Sequence, residues 1–147
     1  MFSIGKLAAA TGVKVPTIRY YEQIGLLATP DRNSGNQRLY DDAARARLAF
    51  IRHARELGFP LEAIRELLGL SDDPARSCEQ ADAIAQRQLA QVEARIARLN
   101  ALRAELERMV HQCAHGTIAE CRVIEVLGNH ALCAHEHAEP SLVQEEA

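Results

Sequence analysis

The run from Ser77 to Cys113 limits what this chain can fold into more than any other stretch, because no Gly or Pro interrupts it. Its apolar positions Leu89, Val92, Ile96 and Leu99 step by 3, 4 and 3, and Leu99, Leu102, Leu106 and Met109 repeat those steps. That spacing predicts a coiled-coil seam, with a stammer where two steps of three meet at Leu99. At about 1.5 Å rise per residue the run makes a rod roughly 55 Å long, more than a domain this small can bury alone. A seam so narrow needs a partner helix, most simply the same helix of a second chain. The alternative is one long helix in a monomeric bundle.

Both ends of the rod carry cysteines. Ser77-Cys78-Glu79-Gln80 reads as a capping box with Ser77 as N-cap and Gln80 at N3. That places Cys78 in the first turn, where unpaired N–H groups and the helix dipole favour a thiolate. Cys113 closes the rod, His115-Gly116 is a stop signal, and Cys121 follows in a Cys-x7-Cys loop. Cys78 and Cys113 stand at opposite ends of one rod and cannot meet within a chain. If two rods pair antiparallel, Cys78 of one chain meets the Cys113–Cys121 loop of the other, giving two identical three-thiolate sites.

Length and charge support a small regulator rather than a multidomain enzyme. Of the 147 residues, 1–70 carry ten Lys and Arg against seven Asp and Glu, and 71–147 carry seven against thirteen, so a front half of +3 precedes a rear half of −6. A mildly basic front on an acidic rear suits a nucleic-acid reader with a separate regulatory part. No signal pattern opens the chain and no apolar run approaches membrane-spanning length, so the expected location is the cytosol, without membrane association. In a reducing cytosol the four cysteines read as ligands or sensors rather than disulfides. No Ser/His/Asp or paired-carboxylate constellation is present, and an enzyme is not expected.

The front half reads as short helices. Ser3 caps a helix over 4–10, Thr11-Gly12-Val13 is a tight connection, and a second helix over 15–24 has Pro16 in its first turn. Two short helices about a Gly-containing turn have the helix-turn-helix shape. The second offers Lys14, Thr17, Arg19, Tyr20 and Tyr21 to phosphates and base edges, unless they decorate a solvated face and the tyrosines are core. Asn33-Ser34-Gly35-Asn36, flanked by Arg32 and Arg38, predicts a small hairpin or wing. Asp41 caps a third helix to about Leu57, Gly58-Phe59-Pro60 breaks it, and a fourth covers 61–70. The chain therefore divides into a DNA-binding domain at 1–70, a linker at 71–76, a dimerisation helix at 77–113, a loop and short helix at 113–128, and a Cys/His tail at 129–147.

Ile4-Gly5-Lys6-Leu7-Ala8, Thr17-Ile18-Arg19-Tyr20-Tyr21-Glu22, Gly25-Leu26-Leu27, the wing from Arg32 to Tyr40, and Phe50-Ile51 to Leu57-Gly58-Phe59 together closely resemble the MerR family of bacterial transcription regulators. The resemblance runs over about residues 2–127. It implies a mainly α fold: a winged helix-turn-helix DNA-binding domain, a long antiparallel coiled-coil dimerisation helix and a short metal-binding loop. It also assigns Arg19, Tyr20 and Tyr21 to the recognition helix and its phosphate clamp, and Arg38 and Tyr40 to the wing. Its implied partners are double-stranded promoter DNA, a second copy of the chain, and RNA polymerase at a promoter whose overlong spacer the metal-bound homodimer bends and untwists.

Within that family the cysteines resemble those of metal sensors. Three thiolates around a divalent ion, or two around a monovalent one, each leave a net charge of −1, so ligand count selects ion charge in a dry pocket. The copper(I) and silver sensors have this loop length but typically Ser at the position of Cys78. The zinc, cadmium, lead and mercury sensors have Cys there. The primary reading is a site of Cys78, Cys113 and Cys121 for zinc, cadmium or lead, with copper(I) or silver as the alternative. His115 is a possible further ligand, favouring zinc or cadmium over mercury, and Cys133, His135 and His137 form a possible secondary site resembling the His-rich tails of cadmium and lead sensors. A thiol-redox sensor using Cys113 and Cys121 is the competing function.

Overall fold

The computed structural model describes residues 1–133; His135 and His137 lie outside them. The chain forms two compact units, the first Met1–Gln88 and the second beginning at Leu89.

In the first unit, α1 (Ile4–Thr11) starts where Ser3 Oγ accepts the Lys6 amide at 3.3 Å, and α2 (Val15–Gln23) starts with Pro16 in its first turn. Gly12 between them has φ +71°, and a Cβ there would fall 1.8 Å from Arg52 Nη1, so any other residue would be strained and would displace that guanidinium. The wing pairs β1 (Asp31–Arg32) antiparallel with β2 (Arg38–Leu39). Its tip is closed by the Gln37 amide donating to Asn33 Oδ1 at 2.9 Å and by Arg32 Nη1 donating to the Asn36 carbonyl at 2.9 Å. Phe2 and Tyr40 exchange two backbone hydrogen bonds, tying the base of the wing to the N-terminus.

Asp41 caps α3 (Asp42–Glu56) through the Ala44 amide at 2.8 Å, and α4 (Leu61–Ser71) follows the Gly58-Phe59-Pro60 break. Leu7, Ile18, Leu26, Leu48, Ile51 and Ile64 are wholly buried in one core, each contributing about 1.5–3 kcal/mol relative to exposure. Arginines close the helix ends: Arg52 donates to the Thr11 carbonyl, Arg65 to that of Ile24, and Arg47 Nε to that of Leu26 at 2.8 Å. These carbonyls lack intrahelical partners, so the three bonds satisfy acceptors that would otherwise be stranded. The opening turns of α5 (Glu79–Gln112) belong to this unit, where Ile84 is buried and Gln88 Nε2 donates to the Leu57 carbonyl at 3.1 Å.

The start of α5 departs from the expected capping box. The Cys78 carbonyl accepts the first helical bond, from Asp82 at 2.9 Å, which makes Cys78 the N-cap. Ser77 Oγ accepts only from Glu79 at 3.3 Å, and Gln80 Oε1 accepts from Arg76 instead of reaching back. A cationic neighbour four residues away outcompetes the reciprocal cap for the Gln80 amide.

In the second unit the remainder of α5 carries the apolar stripe. Leu89, Ile96, Leu99 and Leu106 are each more than half exposed in the single chain. Leu99, Leu102, Leu106 and Val110 line one shallow groove of about 500 Å³ with the stems of Arg103 and His111. Met109, expected in the seam, is buried, and Val110 takes its place on the open face. After a stammer the helix drifts relative to a seven-residue repeat, and the stripe moves on by one residue. A 3₁₀ turn (Ile118–Glu120) and α6 (Arg122–Gly128), which buries Val126, complete the unit with a final turn at His130–Leu132. The expected Gly stop is also corrected: α5 ends at Gln112, and His115 itself takes the left-handed conformation with φ +56°.

Candidate functional site

Two surfaces carry chemistry. On the first unit, Pro16, Arg19, Tyr20, Glu22 and Gln23 of α2 line a shallow groove of about 480 Å³ with Thr29 and with Arg38 from the wing. Lys14, at the N-cap of α2, and Arg19 are exposed, Tyr20 is 47% exposed, and Thr17 is half-buried. The face therefore offers cations, a hydroxyl and a phenol to a phosphate backbone.

Two of the expected DNA contacts are corrected. Tyr21 and Tyr40 lie in the core, Tyr40 only 1% exposed, so neither ring reaches a ligand on this face. A tyrosine carries a large apolar body and a single polar end, and here the body is used for packing. Burial pushes the Tyr21 phenol above its ordinary value. Burial and the hydrogen bond to Glu22 do the same at Tyr40, whose hydroxyl donates to Glu22 Oε1. Arg38 Nε meets the other oxygen of Glu22 at 3.3 Å. Glu22 is the residue the sequence reasoning missed, although it closes the Arg19-Tyr20-Tyr21-Glu22 motif.

On the second unit the loop after α5 brings the half-buried Cys113 and Cys121 near enough for the Cys113 thiol to influence the Cys121 sulfur. Cys121 is the N-cap of α6, where the nearby Ile124 amide first, then the Val123 amide and the Cys113 thiol, favour the thiolate and hold it below the ordinary cysteine value against the opposing effect of burial, without a side-chain cap hydrogen bond of ordinary geometry. A thiolate there is stabilised by the orphan N–H groups of the helix start. His115 is exposed in the same loop.

Cys133 sits differently. Burial first, and then a hydrogen bond to the Glu105 carboxylate, push its thiol up. Glu105 is 4% exposed and paired to Arg108 Nη2 at 2.9 Å, and Arg108 also donates to the Leu132 carbonyl. The end of the described chain is thus docked on α5 by a partly buried ion pair, with Cys133 as a neutral thiol. All four cysteines are free. Among the described residues no three His, Cys, Asp or Glu side chains converge as a metal-holding group.

These environments order the thiols by reactivity, since the thiolate is the nucleophile. In metal-free, reduced protein near neutral pH, iodoacetamide is expected to modify Cys121 well before Cys133, as read by peptide mass mapping over time. Equal rates, or Cys133 ahead, would contradict the opposite environments of the two thiols.

A helix-turn-helix with a wing, followed by a long helix with an open apolar stripe and a two-cysteine loop, defines a DNA-binding regulator. Residues 2–70 match the model of the MerR HTH family regulatory protein, and residues 45–109 match that of MerR, DNA binding. The HTH-type transcriptional regulator ZntR of Escherichia coli (strain K12) is 43% identical over 131 residues, which is 86% of this chain and 92% of that protein. The transcription regulator PbrR691 from Ralstonia metallidurans CH34, solved in complex with lead(II), superposes with TM-score 0.74 at 38% identity, covering 86% of this chain and 99% of that one. A MerR from Bacillus megaterium MB1, solved with mercury(II), gives 0.66 at 31% over the same shares. The chain belongs to the MerR family of helix-turn-helix transcriptional regulators. It is a DNA-binding regulator, not an enzyme, and among the described residues no helix is long and apolar enough to cross a membrane.

Proposed function

We propose that this regulator is a metal-responsive activator that binds its promoter as a homodimer and turns on metal-resistance genes when a divalent soft metal, zinc, cadmium or lead, occupies a site built from both chains. The observation that carries this reading is the Cys113–Cys121 pair at the start of α6, with Cys121 already biased toward the thiolate. Two thiols on one short loop can chelate a single soft ion. Cys78 is exposed at the cap of α5. It flanks the long helix on the side opposite Cys113 in sequence, so the third thiolate comes from the partner of an antiparallel pair. The lead(II) and mercury(II) complexes of two relatives support a soft-metal site.

A bound divalent ion would bridge loop and partner, joining the two chains where each is otherwise held only by the seam. That change, transmitted to the paired DNA-binding units, is the proposed source of the spacer distortion that lets RNA polymerase use the promoter. His115, exposed in the same loop, would have to turn toward the pair to serve as a fourth donor, and Cys133 would have to leave Glu105 before joining His135 and His137 in a secondary site.

A second reading has its own observation. Cys113 and Cys121 come from one chain and alone make the two-thiolate set that copper(I) takes. Cys78→Ser separates the two. Removing one thiolate leaves a divalent ion with one bond and one compensating charge fewer, whereas copper(I) keeps both ligands. Reporter induction by zinc, cadmium, lead, copper and silver is expected to lose its divalent responses in Cys78→Ser. A wild type induced chiefly by copper or silver, and indifferent to Cys78→Ser, would establish the copper reading instead.

A further inference from the structure

The groove between α2 and the wing contains a carboxylate that a phosphate-binding face should reject. Glu22 lines it beside Arg19 and Arg38, where its charge opposes the phosphates that such a face attracts. Its side chain is only 9% exposed and both oxygens are engaged, Oε1 by the Tyr40 hydroxyl and Oε2 by Arg38 Nε at 3.3 Å. Tyr40 is immobilised in the core, and its backbone is tied to Phe2 by two hydrogen bonds. One side chain from the last turn of α2 thus grips the two wing residues on either side of Leu39.

We propose that Glu22 is a positioning residue, which holds Arg38 against a fixed point of the recognition helix and so sets the distance between helix and wing that the operator must match. The carboxylate weakens general attraction to DNA and gains selectivity in return. A wing free to swing would still find phosphates on any duplex, whereas one clamped to the recognition helix finds its phosphate only when that helix is in register. The reading accounts for a buried charged hydrogen-bond acceptor at this place, and it assigns the core-bound Tyr40 a role in DNA recognition at one remove.

The test compares operator and non-operator duplexes of equal length, with Glu22→Gln, Arg38→Ala and the double variant, each checked by thermal unfolding. Glu22→Gln is nearly isosteric and removes one negative charge. Operator affinity is expected to fall about tenfold, the scale of one lost charged hydrogen bond, while non-operator affinity stays level or rises. Adding Glu22→Gln to Arg38→Ala should then cost nothing further, because Glu22 acts through Arg38. Affinities for both duplexes rising together, or losses that add in the double variant, would overturn the proposal and leave Glu22 as a folding contact. If Glu22→Gln unfolds, Glu22→Asp carries the test: it keeps the charge but draws it back from Arg38 Nε, and selective loss of operator binding is expected. Wild-type discrimination by Glu22→Asp would overturn the proposal.

Discussion

Leu106→Asp is expected to convert the protein from dimer to monomer and to abolish operator binding at concentrations where the wild type saturates its site. Leu106 is 60% exposed in the single chain, as Leu99 is at 62%, so neither substitution removes a contact that holds a protomer together. The whole effect falls on pairing. Burial of one leucine is worth about 1.5–3 kcal/mol, and a twofold interface loses two of them. Two buried carboxylates facing an apolar stripe add a further penalty. A loss of about 5 kcal/mol in total weakens dimerisation by more than a thousandfold. Light scattering should report the monomer mass for Leu106→Asp and for Leu99→Asp. The core of the first unit should unfold thermally as in the wild type, because neither position lies in it. A charged-stripe variant that still scatters as a dimer would show that the chains pair elsewhere.

Features set by a few neighbouring residues were legible in the sequence. Ser3 and Asp41 cap their helices as expected, Pro16 sits in a first turn, and the Asn33–Asn36 cluster closes a hairpin. Each follows from local backbone chemistry, and no distant residue competes for it. Where a distant or longer-reaching group does compete, the local reading fails. The expected cap at Ser77 yields to Cys78 because Arg76 engages Gln80. Tyr21 and Tyr40 show the harder limit. A tyrosine hydroxyl suits a phosphate or a buried carboxylate equally well, and only the packing of α2, α3 and the N-terminus decides which it meets. Glu22 was hidden by the same ambiguity, since a lone acidic residue in a basic motif gives no local sign of its two partners.

The long helix was readable in extent but not in phase. The 3-4 steps locate the stripe, yet the placement of Met109 inward and Val110 outward depends on drift after the stammer. Nothing in the three-residue spacing of Glu105 and Arg108 marks either as buried. The structure instead buries Glu105 and sets the Cys133 thiol against it. The two loop cysteines lie near enough within one chain for one to influence the other. The third ligand is beyond what one chain can show, because the proposed partner of the pair belongs to a second copy.

That shared origin of the site is the central claim, and complementation between two damaged chains tests it most directly. One chain carries Cys78→Ser with its loop intact. The other carries Cys113→Ser and Cys121→Ser with Cys78 intact. In either homodimer no site holds three thiolates. In a heterodimer purified through two different affinity tags, the loop of the first chain faces Cys78 of the second, and one complete site returns while the other is lost altogether. Titration with cadmium, read by thiolate-to-metal absorption in the near ultraviolet, is predicted to show one tight three-thiolate site per heterodimer and none in either homodimer. A heterodimer that binds cadmium no better than the Cys78→Ser homodimer would contradict a site shared between chains.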